Sequence, residues 1–309
     1  MKKMISVILS SMMLLVTFPA MAALNVFACE PEWASLADEL GGERVKTYSA
    51  TTAYQDPHHI EARPSLIAKV RRADLLICSG SELEIGWLPL LQRQASNAKV
   101  LPNSPGYFEA SAMVERLDIP EHLDRALDRS MGDVHAAGNP HVHLDPRRIQ
   151  TIATALHARL IEIDPAGKDY YQKRFFNFNQ RWQLAINKWQ QQASSLKGTR
   201  MVVHHRDWVY LFDWLGIKIA GALEPKPGLP TTAAHLTSLK HTLIAKPAKM
   251  IVHTTYQNPR GAQRLSQLTG IPVMQLPYTV GGAEGVNDLF SLFDVTIQKL
   301  TSVSSGIKQ

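Results

Sequence analysis

The 309-residue chain lacks several features that would define common classes of protein. It has only two cysteines, Cys29 and Cys78, and they do not form a CxxC pair, so a zinc site of that type is excluded. The net charge of +6 is spread without a run of Lys or Arg, which argues against nucleic-acid binding. After the first two dozen residues, no stretch reaches the roughly 20 apolar residues needed to cross a bilayer.

The first 22 residues have the pattern of a signal peptide. Lys2 and Lys3 precede an apolar run over residues 4–19, and Ala20-Met21-Ala22 is a small-x-small cleavage pattern. We therefore expect export to the periplasm, with cleavage near Ala22-Ala23. An N-terminal membrane anchor is the alternative, although the apolar run is short for a span. A lipoprotein is disfavoured, because Asn25 stands between the apolar run and Cys29 and the expected small residues are not in place.

Short apolar runs alternate with amphipathic stretches, which is typical of an α/β fold with parallel sheets. The pattern predicts an N-terminal α/β lobe over residues 23–165 and a C-terminal α/β lobe over residues 199–309, both doubly wound. Residues 166–198 connect them. One long helix is predicted over residues 168–196, because this stretch contains neither Pro nor Gly and carries aromatic and apolar residues at roughly helical spacing. Predicted strands occupy 24–29, 45–49, 74–78, 99–101, 201–204, 217–223, 250–253 and 273–276.

Histidines cluster at breaks between the predicted elements. His58 follows the second strand, His205 follows a later strand, and His141 lies between them in a segment broken by Gly and Pro. Ligands of doubly wound folds meet at the carboxyl ends of strands, where His58 and His205 are placed. Imidazole suits zinc, copper, nickel or iron. Taken singly, each histidine is most simply interpreted as a polar loop residue. The periodicity of the sequence alone does not predict that the three form one site.

The sequences around these histidines resemble three motifs of one family. Residues 57–65 resemble P-H-x-(aromatic)-x-x-x-P-S, residues 139–146 resemble N/D-P-H-x-W-L-D-P, and residues 205–211 resemble H-x-x-F-x-Y-(F/L). These motifs are those of the zinc and manganese receptors of ABC transporters, the cluster A-I solute-binding proteins. The resemblance implies that His58, His141 and His205 bind a transition-metal ion in the cleft between the lobes. It further implies delivery of that ion to a membrane permease.

The chain also departs from the family pattern. Ile60 stands at the aromatic position and His143 replaces the usual Trp, while residues 276–282 have no carboxylate where many members supply a fourth ligand. Water, His253, Glu224 or Asp288 could fill that position. Manganese sites favour carboxylates and water, so three histidines favour zinc, and copper or nickel would also bind.

Other interpretations stay open at the level of sequence. A zinc enzyme with an open three-histidine site is one, but no general base is evident, so we expect a protein that is not an enzyme. A receptor for Mn, Cu, Ni or a metal chelate is another. His135, in the short loop before the second motif, could deliver metal or could be a solvated loop residue. We expect a monomer.

The two cysteines end the first and third predicted strands. In a doubly wound sheet of order 2-1-3-4 these strands are neighbours, about 4.8 Å apart. That spacing is near the lower end of the Cα separations that a disulfide tolerates, and export makes oxidation available. We therefore predict a Cys29–Cys78 disulfide. Two free thiols packed as small apolar groups are the alternative.

Overall fold

The structure, a computed structural model, describes residues 23–120, 133 and 135–304. The predicted signal peptide lies outside these residues. Helices and strands alternate along the chain in this order: β1 (Leu24–Ala28), α1 (Pro31–Gly41), β2 (Val45–Ser49), α2 (Pro64–Arg72), β3 (Leu75–Cys78), α3 (Leu88–Ala95), β4 (Tyr107–Glu109), α4 (Pro146–Ile163), α5 (Lys168–Gln192), β5 (Arg200–Val203), α6 (Val209–Leu215), β6 (Lys218–Ala222), α7 (Ala233–Ala245), β7 (Met250–His253), α8 (Arg260–Thr269), β8 (Val273–Gln275) and α9 (Leu289–Ser304).

The strands form two four-stranded parallel sheets with the same topology. Their orders are β2-β1-β3-β4 and β6-β5-β7-β8, and every pairing is parallel. Parallel strands need crossover connections, which the intervening helices supply on the faces of each sheet. The predicted α/β fold with two doubly wound lobes is confirmed. The carboxyl ends of the central strands are where the chain diverges to either side, and ligands of such folds bind there.

Proline and aspartate define the start of the helix that follows the second histidine motif. Pro146 occupies the first turn of α4, where its missing N–H is not needed. Asp145 caps the helix, because its carboxylate accepts a hydrogen bond from the Arg147 backbone N–H at 2.8 Å. This cap fixes the direction in which the chain leaves the motif.

One predicted strand is misplaced. The segment predicted as the fourth strand, residues 99–101, lies at a short 3-10 turn over Ala98–Val100 that Asn97 caps through its side chain. The true edge strand is β4, which pairs Phe108 with Ile77 of β3. Val100 is buried, and burial of a short apolar run does not distinguish a strand from a turn. The correction changes the edge of the sheet and leaves its order unchanged.

The long helix α5 packs against both halves of the molecule. Its buried face contacts α1 and α4 on one side and α9 on the other. Trp182 and Trp189 lie on this face against Phe293 of α9, with ring centroids 5.7 and 5.0 Å apart. The hydrophobic core around them is continuous from the first sheet to the second. No helix among the described residues is long and apolar enough to cross a membrane.

Cys29 and Cys78 are joined in a disulfide, with Cα atoms 4.8 Å apart, as predicted. Both residues are completely buried beneath α2 and α3, beside Leu76 and Trp87. The bond therefore ties the first strand to the third within the N-terminal sheet.

We expect protein isolated from the periplasm to contain no free thiol when it is denatured without reductant. Closing a loop of 49 residues is expected to stabilise the fold by about 4 kcal/mol through the lost entropy of the unfolded chain. Thiol titration with and without reductant, followed by thermal unfolding of both forms, measures this. Two free thiols per chain without reductant would refute the bond.

Candidate metal site

The structure brings His58, His141 and His205 together between the two sheets. His58 comes from the loop after β2, His141 from the segment before α4, and His205 from the loop after β5. One ring nitrogen from each lies within 4.8 Å of those from the other two. All three residues are buried, with exposed fractions of 8%, 0% and 5%. A ligand bound by all three would therefore be largely shielded from water.

Each of the three rings is held from behind through its Nδ1 atom. Asp56 Oδ1 lies 2.8 Å from His58 Nδ1, Tyr278 Oη lies 2.7 Å from His141 Nδ1, and Glu224 Oε2 lies 2.7 Å from His205 Nδ1. Such partners fix the ring orientation and raise the basicity of the opposite nitrogen in metal sites.

The two carboxylates also determine which nitrogen carries the proton. An ionised carboxylate only accepts hydrogen bonds, so His58 and His205 donate Nδ1–H to Asp56 and Glu224. When these rings are neutral, their Nε2 atoms are lone-pair donors. This is the tautomer that coordinates a metal ion.

His141 has the least compensated ring of the three. Its Nε2 is buried and has no hydrogen-bond partner among the described residues. The Asp207 Oδ1 atom lies 3.8 Å from this nitrogen. Burial away from water, followed by the neighbouring histidines His58 and His205, lowers the pKa of His141 well below its usual value. A neutral, buried and unpaired imidazole nitrogen is suited to coordinate a cation.

Carboxylates surround the histidines and make the site favourable for positive charge. Burial alone would lower the pKa of His205, but the charge of Asp207 and the hydrogen bond and charge of Glu224 outweigh it and raise that pKa to about 9. Burial would raise the pKa of Asp56, and its interactions with His58 outweigh burial and lower it. A divalent cation would replace the proton on His205 and be stabilised by the same charges.

A cleft of about 300 Å³ opens beside the histidines. Residues of the N-terminal half lie on one wall, and residues that follow β5, β6 and β7 lie on the other. The lining residues are Asp56, His58, His59, Asp133, His204, His205, Glu224, Gly228, Tyr256, Gln257 and Asn258. A hydrated metal ion could thus reach the site between the two halves.

The residues proposed for a fourth ligand are engaged elsewhere. Glu224 holds the back of His205 and also accepts a hydrogen bond from the Gly228 N–H at 2.8 Å. His253 Nδ1 lies 2.8 Å from the Thr254 carbonyl. Asp288 accepts from the Ser291 N–H at 2.7 Å, near the start of α9.

The neighbouring histidines have different surroundings. His143, which stands where the family has Trp, is fully buried, and its Nε2 lies 3.0 Å from the Tyr278 carbonyl. His59 has a side chain that is 67% exposed at the mouth of the cleft. His204 Nε2 lies 3.8 Å from Glu224 Oε1. None of these three belongs to the group of ring nitrogens that converge within 4.8 Å.

Sequence reasoning did not identify the partners that orient the rings. Of these partners, Asp56 could have been predicted from sequence, because an Asp often hydrogen-bonds to the backbone two residues further on. Its carboxylate does accept a hydrogen bond from the His58 backbone N–H, at 3.0 Å. Tyr278 is 137 residues from His141 and carried no such signal.

Comparison with known proteins identifies one family that matches nearly the whole chain after the predicted signal peptide. The profile described as "Zinc-uptake complex component A periplasmic" matches residues 26–303. The chain belongs to this family. Its members are solute-binding proteins, so the expectation that the chain is not an enzyme is confirmed.

Relatives named for two different metals match the chain. The manganese ABC transporter substrate-binding lipoprotein PsaA of Streptococcus anginosus is 21% identical over 288 residues, covering 93% of this chain and 90% of that protein. The high-affinity zinc uptake system protein ZnuA of Yersinia pestis is 27% identical over 198 residues, covering 61% and 62%. The protein is thus a metal-binding, extracytoplasmic component of an ABC transporter, with a permease as its partner.

Solved structures share the fold. A crystal structure of ZnuA superposes with a TM-score of 0.75 at 20% identity, covering 91% of this chain and 99% of that one. The Mn-bound periplasmic metal binding protein of Candidatus Liberibacter asiaticus gives 0.72 at 13% identity, covering 92% and 100%. At these identities the likeness supports the fold of two α/β lobes and does not distinguish the metals.

Proposed function

We propose that the protein captures Zn²⁺ with His58, His141 and His205 and delivers it to an ABC permease for import. One observation carries the proposal: three buried histidines converge within 4.8 Å, and each is held through Nδ1 with its other nitrogen turned inward. Export through cleavage near Ala22-Ala23 and a monomeric state are parts of the same proposal.

The donor chemistry favours zinc over manganese. Manganese prefers carboxylate, carbonyl and water oxygens, whereas imidazole nitrogen suits zinc, copper and nickel. The carboxylates nearest the site hydrogen-bond to other groups: Glu224 to His205, and Asp207 to Tyr256 Oη at 3.1 Å and Gln257 Nε2 at 2.8 Å. Copper and nickel bind such donors too, so selection of zinc would also depend on metal supply and geometry.

Competition among metals tests the proposal. Metal-free protein is titrated with Zn²⁺ against a chelator of known affinity, and the titration is repeated with Mn²⁺, Cu²⁺ and Ni²⁺. We expect one zinc per chain. Manganese should bind at least about 100-fold more weakly, a difference of about 3 kcal/mol, because imidazole nitrogen suits zinc better than manganese. Equal or tighter manganese binding would overturn the assignment of zinc. Protein that binds none of these ions would overturn the proposal as a whole.

The raised pKa of His205 predicts a pH dependence of metal affinity. Below about pH 9 this ring carries a proton that zinc must displace, so apparent affinity should rise about tenfold per pH unit between pH 7 and 9 and then level off. His141, with its lowered pKa, has no proton to lose in this range. Titration calorimetry in buffers of different ionisation enthalpy should record about one proton released per zinc at pH 7. A pH-independent affinity over this range would contradict it.

A further inference from the structure

A fourth histidine ring adjoins the three. His135 Nε2 lies 3.3 Å from His58 Nε2, and the two ring centroids are 5.3 Å apart. The His135 ring stands 6.5 Å from the His141 ring, slightly farther than the 5.5 to 5.7 Å that separates the other three from one another. His135 and His205 also line one pocket together.

The proton positions make this close approach informative. His58 donates its Nδ1–H to Asp56, so its Nε2 presents a lone pair to His135. The His135 ring also forms a hydrogen bond with the Ser81 backbone. When the proton of a neutral His135 is on Nδ1, two lone pairs face each other at 3.3 Å. A cation bound to both nitrogens converts this repulsion into coordination.

The spacing also matches the geometry of zinc. Zinc–nitrogen bonds of 2.0–2.1 Å in a tetrahedron place neighbouring nitrogens about 3.3 to 3.4 Å apart. The His58–His135 pair already has this spacing. His135 does not belong to the group of His58, His141 and His205, whose nitrogens all lie within 4.8 Å of one another, so zinc would draw it closer to His141 and His205.

His135 is held in place by an unusual turn after β3. Gly80, Ser81 and Glu82 are consecutive residues with positive φ, at 76°, 48° and 68°. Ser81 supplies the carbonyl that meets the His135 ring, and Glu82 Oε2 accepts from the Ala136 N–H at 2.9 Å. Non-glycine residues in the left-handed region cost about 1 kcal/mol or more each, and such strain is kept at binding sites. The turn thus holds residues 135–136 against the site.

We propose that His135 is the fourth protein ligand and closes the site as four imidazole nitrogens in a tetrahedron. This inference rests on the proposed function, and it names the residue that determines the preference of the site for zinc over manganese. A closed four-nitrogen site leaves no position for the oxygen ligands and higher coordination number that manganese prefers, so His135 would exclude manganese from the cleft.

X-ray absorption at the zinc edge and zinc competition titrations test the inference together. The zinc-loaded protein should show four nitrogen neighbours with imidazole scattering, whereas H135A should show three plus one oxygen. We expect H135A and H135Q each to bind zinc roughly 100-fold more weakly, the share of one donor among four. H241A, which removes an exposed histidine on α7, is the matched control and should bind as the unmodified protein does.

A change of donor type gives a second readout. H135D places an oxygen donor at this position and should raise the ratio of manganese to zinc affinity at least tenfold. If H135A and H135Q keep zinc affinity within twofold and the zinc keeps four nitrogens, while H141A loses zinc, His135 is not a ligand and the proposed function still stands. If H141A also keeps its zinc, the proposed function itself fails.

Discussion

Replacing His141 with alanine is expected to lower zinc affinity by at least about 100-fold. Structural zinc sites contribute 10–16 kcal/mol through four ligands, so one donor is worth roughly 3 kcal/mol. His141 should show the full effect, because its ring is completely buried and its Nε2 has no hydrogen-bond partner among the described residues. H58A and H205A should lose affinity similarly. Chelator competition on folded, metal-free protein measures each change.

The control for this series is again H241A, which removes an exposed histidine without touching the cleft. Circular dichroism of each variant establishes that the sheets are intact. If any of H58A, H141A or H205A binds zinc within twofold of the unmodified protein, a difference of about 0.4 kcal/mol, that histidine is not a ligand.

Replacing Trp182 with alanine should destabilise the fold by about 3–5 kcal/mol, the usual cost of removing a fully buried aromatic side chain. The indole stacks on Phe178 with centroids 5.2 Å apart and meets Phe290 of α9 at 4.8 Å. Its Nε1–H also donates to the Pro146 carbonyl at 2.7 Å, so the substitution removes this buried hydrogen bond as well. Urea unfolding followed by circular dichroism measures the change in free energy.

Leu184→Ala is the matched control for this effect. Leu184 lies on the same helix two residues away and is 70% exposed, so its loss should change the free energy of unfolding by no more than about 0.5 kcal/mol. If both variants lost a similar amount of free energy of unfolding, the buried face of α5 would not be what joins the two halves.

Much of the fold was accessible from sequence because its signals are local. The long helix was predicted from aromatic spacing, and the structure buries Tyr171, Phe178 and Trp182 on one face. The fourth strand was not predictable, since β4 has only three residues, and the segment 99–101 with Val100 and Leu101 gave a stronger but misleading signal. Short edge strands are determined by pairing with a neighbour, which one segment alone does not encode.

The candidate metal site also has one part that sequence predicts and another part that it does not. His58, His141 and His205 were predicted as ligands from motifs that are continuous in sequence. Their supporting contacts join distant segments: Tyr278 reaches His141 across 137 residues, and His135 approaches His58 across 77. Glu224 was considered as a ligand, whereas the structure places it behind the ring of His205. Only the folded chain shows which face of a ring a side chain occupies.

A crystal structure of zinc-loaded protein, with diffraction data on both sides of the zinc absorption edge, tests the central claim most directly. The claim predicts one anomalous peak per chain, between the two sheets, at 2.0–2.1 Å from a ring nitrogen of each of His58, His141 and His205. Data collected at the manganese edge after soaking in equal zinc and manganese should show no manganese there. A zinc peak elsewhere, or one that any of these three histidines does not contact, would contradict the claim.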